Sequence, residues 1–118
     1  GWCAGLLDSA EKVLSIKPNW ATLAPLNLGI VGRHTLDHEA SLEVRAFVGN
    51  GRYEDPVTGS LNASLAQWLI GSGLEKSPYV AAQGTLLQRE GRIHIHKDND
   101  EVWVGGHTVE IISGEISL

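Results

Sequence analysis

The sequence predicts an α+β fold: one apolar helix wrapped by a strongly curved, mostly antiparallel, barrel-like sheet, with short helices outside. Three observations carry this. Residues 61–70 include no charged side chain, and only Asn62, Ser64 and Gln67 are polar, the composition of a helix buried on nearly all sides. Residues 42–48 and 92–96 alternate apolar and polar side chains with the period of a strand. Several further strand-like runs flank the helix on both sides in sequence, so the natural arrangement is a sheet curved around it.

Taken in order, the chain opens on the apolar run Trp2-Cys3-Ala4-Gly5-Leu6-Leu7, read as a first strand with Cys3 a buried, inert thiol. Asp8 or Ser9 caps a short helix, Glu11 supports its positive end, and Val13, Leu14 and Ile16 pack before Pro18 ends it. Asn19 opens a second short helix closed by Pro25. Residues 28–32 form a glycine-rich strand suited to sharp curvature, and residues 34–39 form a polar hairpin tip. The strand at 42–48 places Leu42, Val44 and Ala46 on one face and Glu43, Arg45 and Phe47 on the other.

The bend Gly49-Asn50-Gly51-Arg52 leads into the turn that starts the apolar helix. Pro56 fixes its own φ and keeps Asp55 out of the helical region, so no helix runs through this point. Thr58 and Ser60 can each accept a hydrogen bond from a free N–H of the first turn, and Gly59 lets the backbone bend. Leu61, Leu65 and Leu69 form one stripe of the helix, and Trp68 is expected to be buried with them. Gly71-Ser72-Gly73 stops it. A strand at 79–84 follows, then a hairpin of 92–96 and 101–104 joined by Asp98-Asn99-Asp100, with His94 and His96 on the solvated face. Gly105-Gly106 marks a bend or bulge, and residues 107–112 and 114–118 read as two final strands.

Length and composition bound the function. The 118 residues are expected to form a single domain, spanning 1–118, with 42% hydrophobic and 19% charged residues. A formal net charge of −5 without a basic cluster argues against a nucleic-acid surface, and no apolar run reaches the ~20 residues that span a bilayer. A single cysteine excludes an internal disulfide and fits a reducing, cytoplasmic setting. His34, Asp37 and His38 lie on a loop without fixed spacing, and the His94-x-His96 pair lacks an evident third ligand, so no metal site is expected.

The chemistry-bearing stretch is the turn itself. The first N–H groups of a helix have no intrahelical partners and carry partial positive charge. Thr58-Gly59-Ser60 is therefore a candidate cradle for a small carboxylate or phosphate. The acidic pair Glu54-Asp55 beside it suits proton transfer better than capping.

Glu54-Asp55-Pro56-Val57-Thr58-Gly59-Ser60 resembles the Asp-Pro-x-Thr-Gly-Ser motif in the second half of the phenazine-biosynthesis-like (PhzF-like) isomerase family. Glu43-Val44-Arg45-Ala46-Phe47 resembles the preceding strand with Arg-x-Phe. Ala82-Gln83-Gly84, Gln88-Arg89-Glu90-Gly91-Arg92 and Val102-Trp103-Val104-Gly105-Gly106 resemble the family's closing strands. The resemblance implies a diaminopimelate epimerase-like fold of two homologous domains facing one substrate carboxylate. It further implies isomerisation by proton abstraction and return, without metal or organic cofactor. Asp55 would be the acid/base partner, and Thr58, Gly59 and Ser60 the substrate-binding residues. The family's principal glutamate belongs to the first domain, so this chain is expected to be the second domain, inactive alone, and to pair as a homodimer or with a separate first-domain chain. The alternative is a non-catalytic, homodimeric small-anion-binding or structural module.

Overall fold

Strand β3 (Leu42–Val48) is the organising element of the computed structural model, which describes residues 1–106. The expected strands at 107–112 and 114–118 lie outside the described residues. Six consecutive residues of β3, Leu42 to Phe47, are buried, so both faces of the sheet are covered here. Leu42, Val44 and Ala46 join a core that includes Leu61, Leu65 and Leu69, whereas Phe47 packs with Val13 and Ile30 on the opposite face. The alternation expected of a strand therefore holds, but the polar face is buried too, because Glu43 and Arg45 find partners there.

Among the described residues the sheet has seven strands: β1 (Cys3–Leu6), β2 (Asn27–Arg33), β3, β5 (Tyr79–Gln83), β6 (Gly91–Asp98) and β7 (Glu101–Gly106) lie side by side in that order, with β4 (Tyr53–Asp55) also paired to β3. Strand β1 runs parallel to β2, which is antiparallel to β3. The far edge of β3 is shared. β4 pairs antiparallel with residues 46–48, and β5 pairs parallel with residues 42–44. Strands β6 and β7 complete an antiparallel run from β5. The sheet is thus mixed, with antiparallel pairings predominating.

Two short helices cover the outer face. α1 (Ala10–Ser15) is capped by Ser9, whose Oγ accepts the Lys12 N–H at 3.1 Å, and α2 (Trp20–Leu23) by Asn19, whose Oδ1 accepts the Thr22 N–H at 3.2 Å. The Arg45 guanidinium donates to the carbonyls of Val13 and Ile16 at 3.0 and 2.6 Å, satisfying the C-terminal end of α1. It also lies over the Phe47 ring, 4.7 Å from the centroid, and Trp20 meets that ring edge-on.

α3 (Gly59–Gly71) lies on the inner face. Leu61, Leu65, Ala66 and Leu69 are buried, and Gly29 of β2 admits Leu61: a Cβ at residue 29 would sit 2.5 Å from Leu61 Cδ1. The helix ends in a Schellman motif, with Gly73 at φ +75° and the N–H groups of Gly73 and Leu74 donating to the carbonyls of Ile70 and Leu69.

Four expectations need correction. Trp68 is 39% exposed, and Ser64 and Gln67 are exposed with it. Uniform apolar composition does not bury a helix all round when only its i, i+4 stripe meets the sheet. The sheet is not a closed barrel among the described residues, since β1 and β7 end it on opposite sides without pairing. Cys3 is exposed, because β1 is a terminal strand with most of its side chains facing out. Gly105 and Gly106 form no bulge; they pair in register with His94 and Ile93.

Candidate functional site

Neighbouring residues of a strand point to opposite faces, and this splits the acidic pair. Glu54 lies opposite Phe47 and Asp55 opposite Ala46, so Glu54 belongs to the outer face and Asp55 to the inner one. On the outer face, Arg45 Nη2 donates to Glu54 Oε1 at 2.9 Å and Nε to Oε2 at 3.2 Å, with both side chains buried. A carboxylate held by both oxygens in a buried ion pair is a structural group. The Glu54 carboxylate is therefore turned away from the turn that it adjoins in sequence.

On the inner face, Asp55 meets Gln83, because their strands share the edge of β3: Asp55 pairs with Ala46, and Gln83 with Val44. Gln83 lies on the same face of β5 as Tyr79 and Ala81, under the start of α3. Gly84, at φ +82°, lets the chain leave β5 directly beneath the turn; a Cβ there would meet the Pro56 carbonyl oxygen at 2.8 Å. Gln83 is fully buried. Its Oε1 accepts from the Thr58 N–H at 3.1 Å and from Asn62 Nδ2 at 2.8 Å. Its Nε2 donates to the Asp55 carbonyl at 2.8 Å and to Thr58 Oγ1 at 2.9 Å.

Thr58 is the N-cap residue of α3, yet its side chain caps nothing. Its hydroxyl donates to Asp55 Oδ2 at 2.6 Å. The expected capping of the first turn is therefore not made by Thr58, and Gln83 takes the N–H of Thr58 itself from across the sheet. Asn62 closes the ring by donating to the Thr58 carbonyl at 2.8 Å. Ser60 is exposed, and its Oγ accepts from Trp2 Nε1 at 3.2 Å. An indole N–H only donates, so the Ser60 hydroxyl keeps its own proton for another acceptor.

The first intrahelical bond of α3 runs from the Asn62 N–H to the Thr58 carbonyl. Among the described residues no acceptor meets the N–H groups of Gly59, Ser60 and Leu61. The turn thus presents unpaired backbone donors and a hydroxyl proton next to a hydrogen-bonded carboxylate. That arrangement can hold a small anion and move a proton beside it.

Of the residues that the sequence singled out, Thr58 is bonded to Asp55, and Gly59 and Ser60 lie exposed at the start of α3. The sequence did not single out Gln83, Asn62 or Trp2, which the structure bonds to this turn or to each other. The available signal was a glutamine closing an apolar strand and an asparagine one helical turn past Thr58. The described histidines lie elsewhere. His34 and His38 stack with centroids 3.7 Å apart, and His34 Nε2 bonds the buried Glu43 carboxylate at 2.8 Å. Glu43 also accepts from Thr85 Oγ1 at 2.6 Å. His94 and His96 are exposed on β6. Among the described residues no group of three His, Cys, Asp or Glu side chains is placed to hold a metal ion. A cleft of about 390 Å³ opens at the other end of α3, beside Leu74, Lys76 and His38.

The chain belongs to the phenazine biosynthesis-like protein family, whose model matches residues 4–114. An uncharacterized isomerase of Pseudomonas aeruginosa is 32% identical over 96% of this chain and 42% of its own length. Another from Mesorhizobium japonicum is 29% identical, covering 99% of this chain and 47% of its own. The crystal structure of a putative phenazine biosynthesis PhzC/PhzF protein from Clostridium difficile superposes with a TM-score of 0.69 at 30% identity, covering 93% of this chain and 45% of that one. A PhzF-family protein from Enterococcus faecalis shares the fold at a TM-score of 0.69 and 22% identity, over 90% of this chain and 44% of its own. The chain spans less than half the length of the curated relatives it matches. No helix among the described residues is long and apolar enough to cross a membrane.

Proposed function

We propose that this chain is the second domain of a diaminopimelate epimerase-like isomerase, and forms one wall of a site that isomerises or epimerises a small carboxylic acid. The observation that carries the reading is the Asp55 carboxyl, hydrogen-bonded at 2.6 Å beside the unpaired N–H groups of Gly59 and Ser60. The substrate carboxylate binds those N–H groups and the Ser60 hydroxyl, and α3 supports its charge. When a base removes a proton from the carbon next to that carboxylate, the C–H electron pair moves toward the carboxylate, where the same donors stabilise it. Asp55 is the acid/base partner, exchanging a proton with the reacting carbon. Thr58, placed among the substrate ligands by its position in the motif, instead acts by holding Asp55, since its N–H and hydroxyl are both engaged within the protein.

Delivering a proton to the opposite face of the reacting carbon takes a second group besides Asp55. Glu54 is committed to Arg45, and among the described residues the hydrogen-bond network at the turn contains one carboxylate. In this reading the second group lies outside the described residues, and a first domain is its proposed source. The test is solvent-deuterium incorporation into small carboxylic acids, measured for the chain alone and after addition of a first-domain polypeptide. Incorporation only with the partner is the expected result. The commitment of Glu54 also favours a second reading, a homodimeric module that binds small anions without turnover. It predicts anion binding at Ser60 with no deuterium incorporation under either condition.

A further inference from the structure

The hydrogen-bond ring around Gln83 has a direction, and the chemistry of its members fixes it. The Thr58 backbone N–H can only donate, so the amide atom that it meets is Oε1; the Asp55 backbone carbonyl can only accept, so the atom that it meets is Nε2. Asn62 Nδ2, a donor, reinforces the same orientation at Oε1. With both ends of the amide set independently, Nε2 must donate to Thr58 Oγ1. The threonine hydroxyl then has its proton to give, and the acceptor beside it is Asp55 Oδ2 at 2.6 Å. With the carboxyl ionised, Oδ2 is an acceptor occupied by this bond, and Oδ1 is the oxygen left to exchange a proton with a ligand.

We propose that Gln83 is the positioning residue of the Asp55 carboxyl: through Thr58 it holds Oδ2 as an acceptor and leaves Oδ1 as the working oxygen. The proposal rests on the reading of Asp55 as the acid/base partner. Gln83 itself touches no ligand, being fully buried beneath the turn. Its demand on chemistry is specific, because the relay needs a group that accepts at one atom and donates at the other. A glutamate of the same size accepts at both. In Gln83→Glu the Thr58 hydroxyl would turn to the new carboxylate, and Asp55 would lose its donor.

The experiment is solution NMR on the full chain, reading the Asp55 side-chain rotamer from three-bond couplings and the water-exchange rate of the Thr58 hydroxyl proton. The native chain is expected to show one Asp55 rotamer and a hydroxyl exchanging at least about tenfold more slowly than an exposed threonine, the factor one modest hydrogen bond supplies. Folded Gln83→Glu and Thr58→Val are expected to show averaged Asp55 couplings, and Thr58→Ser to restore the single rotamer. A single, unchanged rotamer in Gln83→Glu would overturn the proposal. Should Gln83→Glu not fold, the same result in Thr58→Val would overturn it, since that variant keeps Gln83. A parallel phosphate titration followed at the Ser60 N–H tests the underlying reading separately. An intact relay without phosphate or carboxylate binding would leave Gln83 a purely structural residue and overturn its positioning role.

Discussion

Arg45 and Glu54 form a buried, two-point ion pair across the β3–β4 edge, with Nη2–Oε1 at 2.9 Å and Nε–Oε2 at 3.2 Å. Arg45 also closes α1 through the carbonyls of Val13 and Ile16, so the pair ties the outer helix layer to the strand that delivers Asp55. Removing one partner of such a pair strands the other charge in the interior. Glu54→Ala is therefore expected to lower unfolding free energy by ~3–5 kcal/mol. Urea denaturation checks this, and a loss comparable to that of an exposed ion pair would mean that the pair does not hold β4.

Leu65 and Trp68 separate two meanings of an apolar helix. Leu65 is 2% exposed in the inner core, whereas Trp68 is 39% exposed. Leu65→Ala is expected to cost ~2–5 kcal/mol. Trp68→Ala should cost less than Leu65→Ala, although a tryptophan loses more atoms. The ordering of the two urea midpoints decides it.

The strands and the α3 stripe were legible because burial follows periodicity, as at Leu42, Val44 and Ala46 or Leu61, Leu65 and Leu69. The turn was legible because Pro56, Gly59 and the hydroxyl residues have few other uses together. Two features were not. Glu54 and Asp55 are neighbours of identical charge, and only the register with Phe47 and Ala46 shows that they face opposite sides. Gln83 lies 25 residues from Thr58, and the two meet because β4 and β5 share one edge of β3. Pairing between distant strands is a property of topology, which local pattern does not encode.

Tyr79 supplies a pH dependence. Burial, then the neighbouring Glu75 carboxylate, pushes its phenol well above the ordinary value. The unfolded chain ionises this group near pH ~10, while the folded chain keeps it neutral. Its contribution is thus fully present below that pH and is lost as the pH rises further. Urea midpoints measured from pH 9 to 11 should fall, and Tyr79→Phe should make the fall shallower.

Ser60 is the residue whose loss should affect binding without affecting the fold. It is exposed at the second position of α3, its hydroxyl accepts from Trp2, and its N–H is unpaired among the described residues. Ser60→Ala removes one hydroxyl donor to an anion and is expected to weaken phosphate or citrate binding by roughly tenfold, the value of about one charge-assisted bond. Thermal unfolding should be little changed. Equal binding by both proteins would leave Ser60 only its bond to Trp2.

The remaining expectation is self-association. β1 hydrogen-bonds to β2 alone among the described residues, and it carries Cys3 and Ala4 exposed and Leu6 at 42%. Val57, in the turn beside Ser60, is 52% exposed. An unpaired strand edge next to exposed apolar side chains is a surface that invites pairing. Closed twofold dimers are the commonest way in which identical chains satisfy such a surface, and a twofold axis near Trp2 and Val57 would bring two Asp55 turns to one interface. A homodimer is expected by light scattering at tens of micromolar, and Val57→Glu, which puts a charge on that surface, should shift it toward monomer. Such a dimer supplies Asp55 from both sides but no further acid from Glu54, which Arg45 holds in each copy. It should therefore bind small carboxylates without exchanging their protons with solvent. A monomer at those concentrations would refute the assembly, and deuterium incorporation by the chain alone would refute its inactivity.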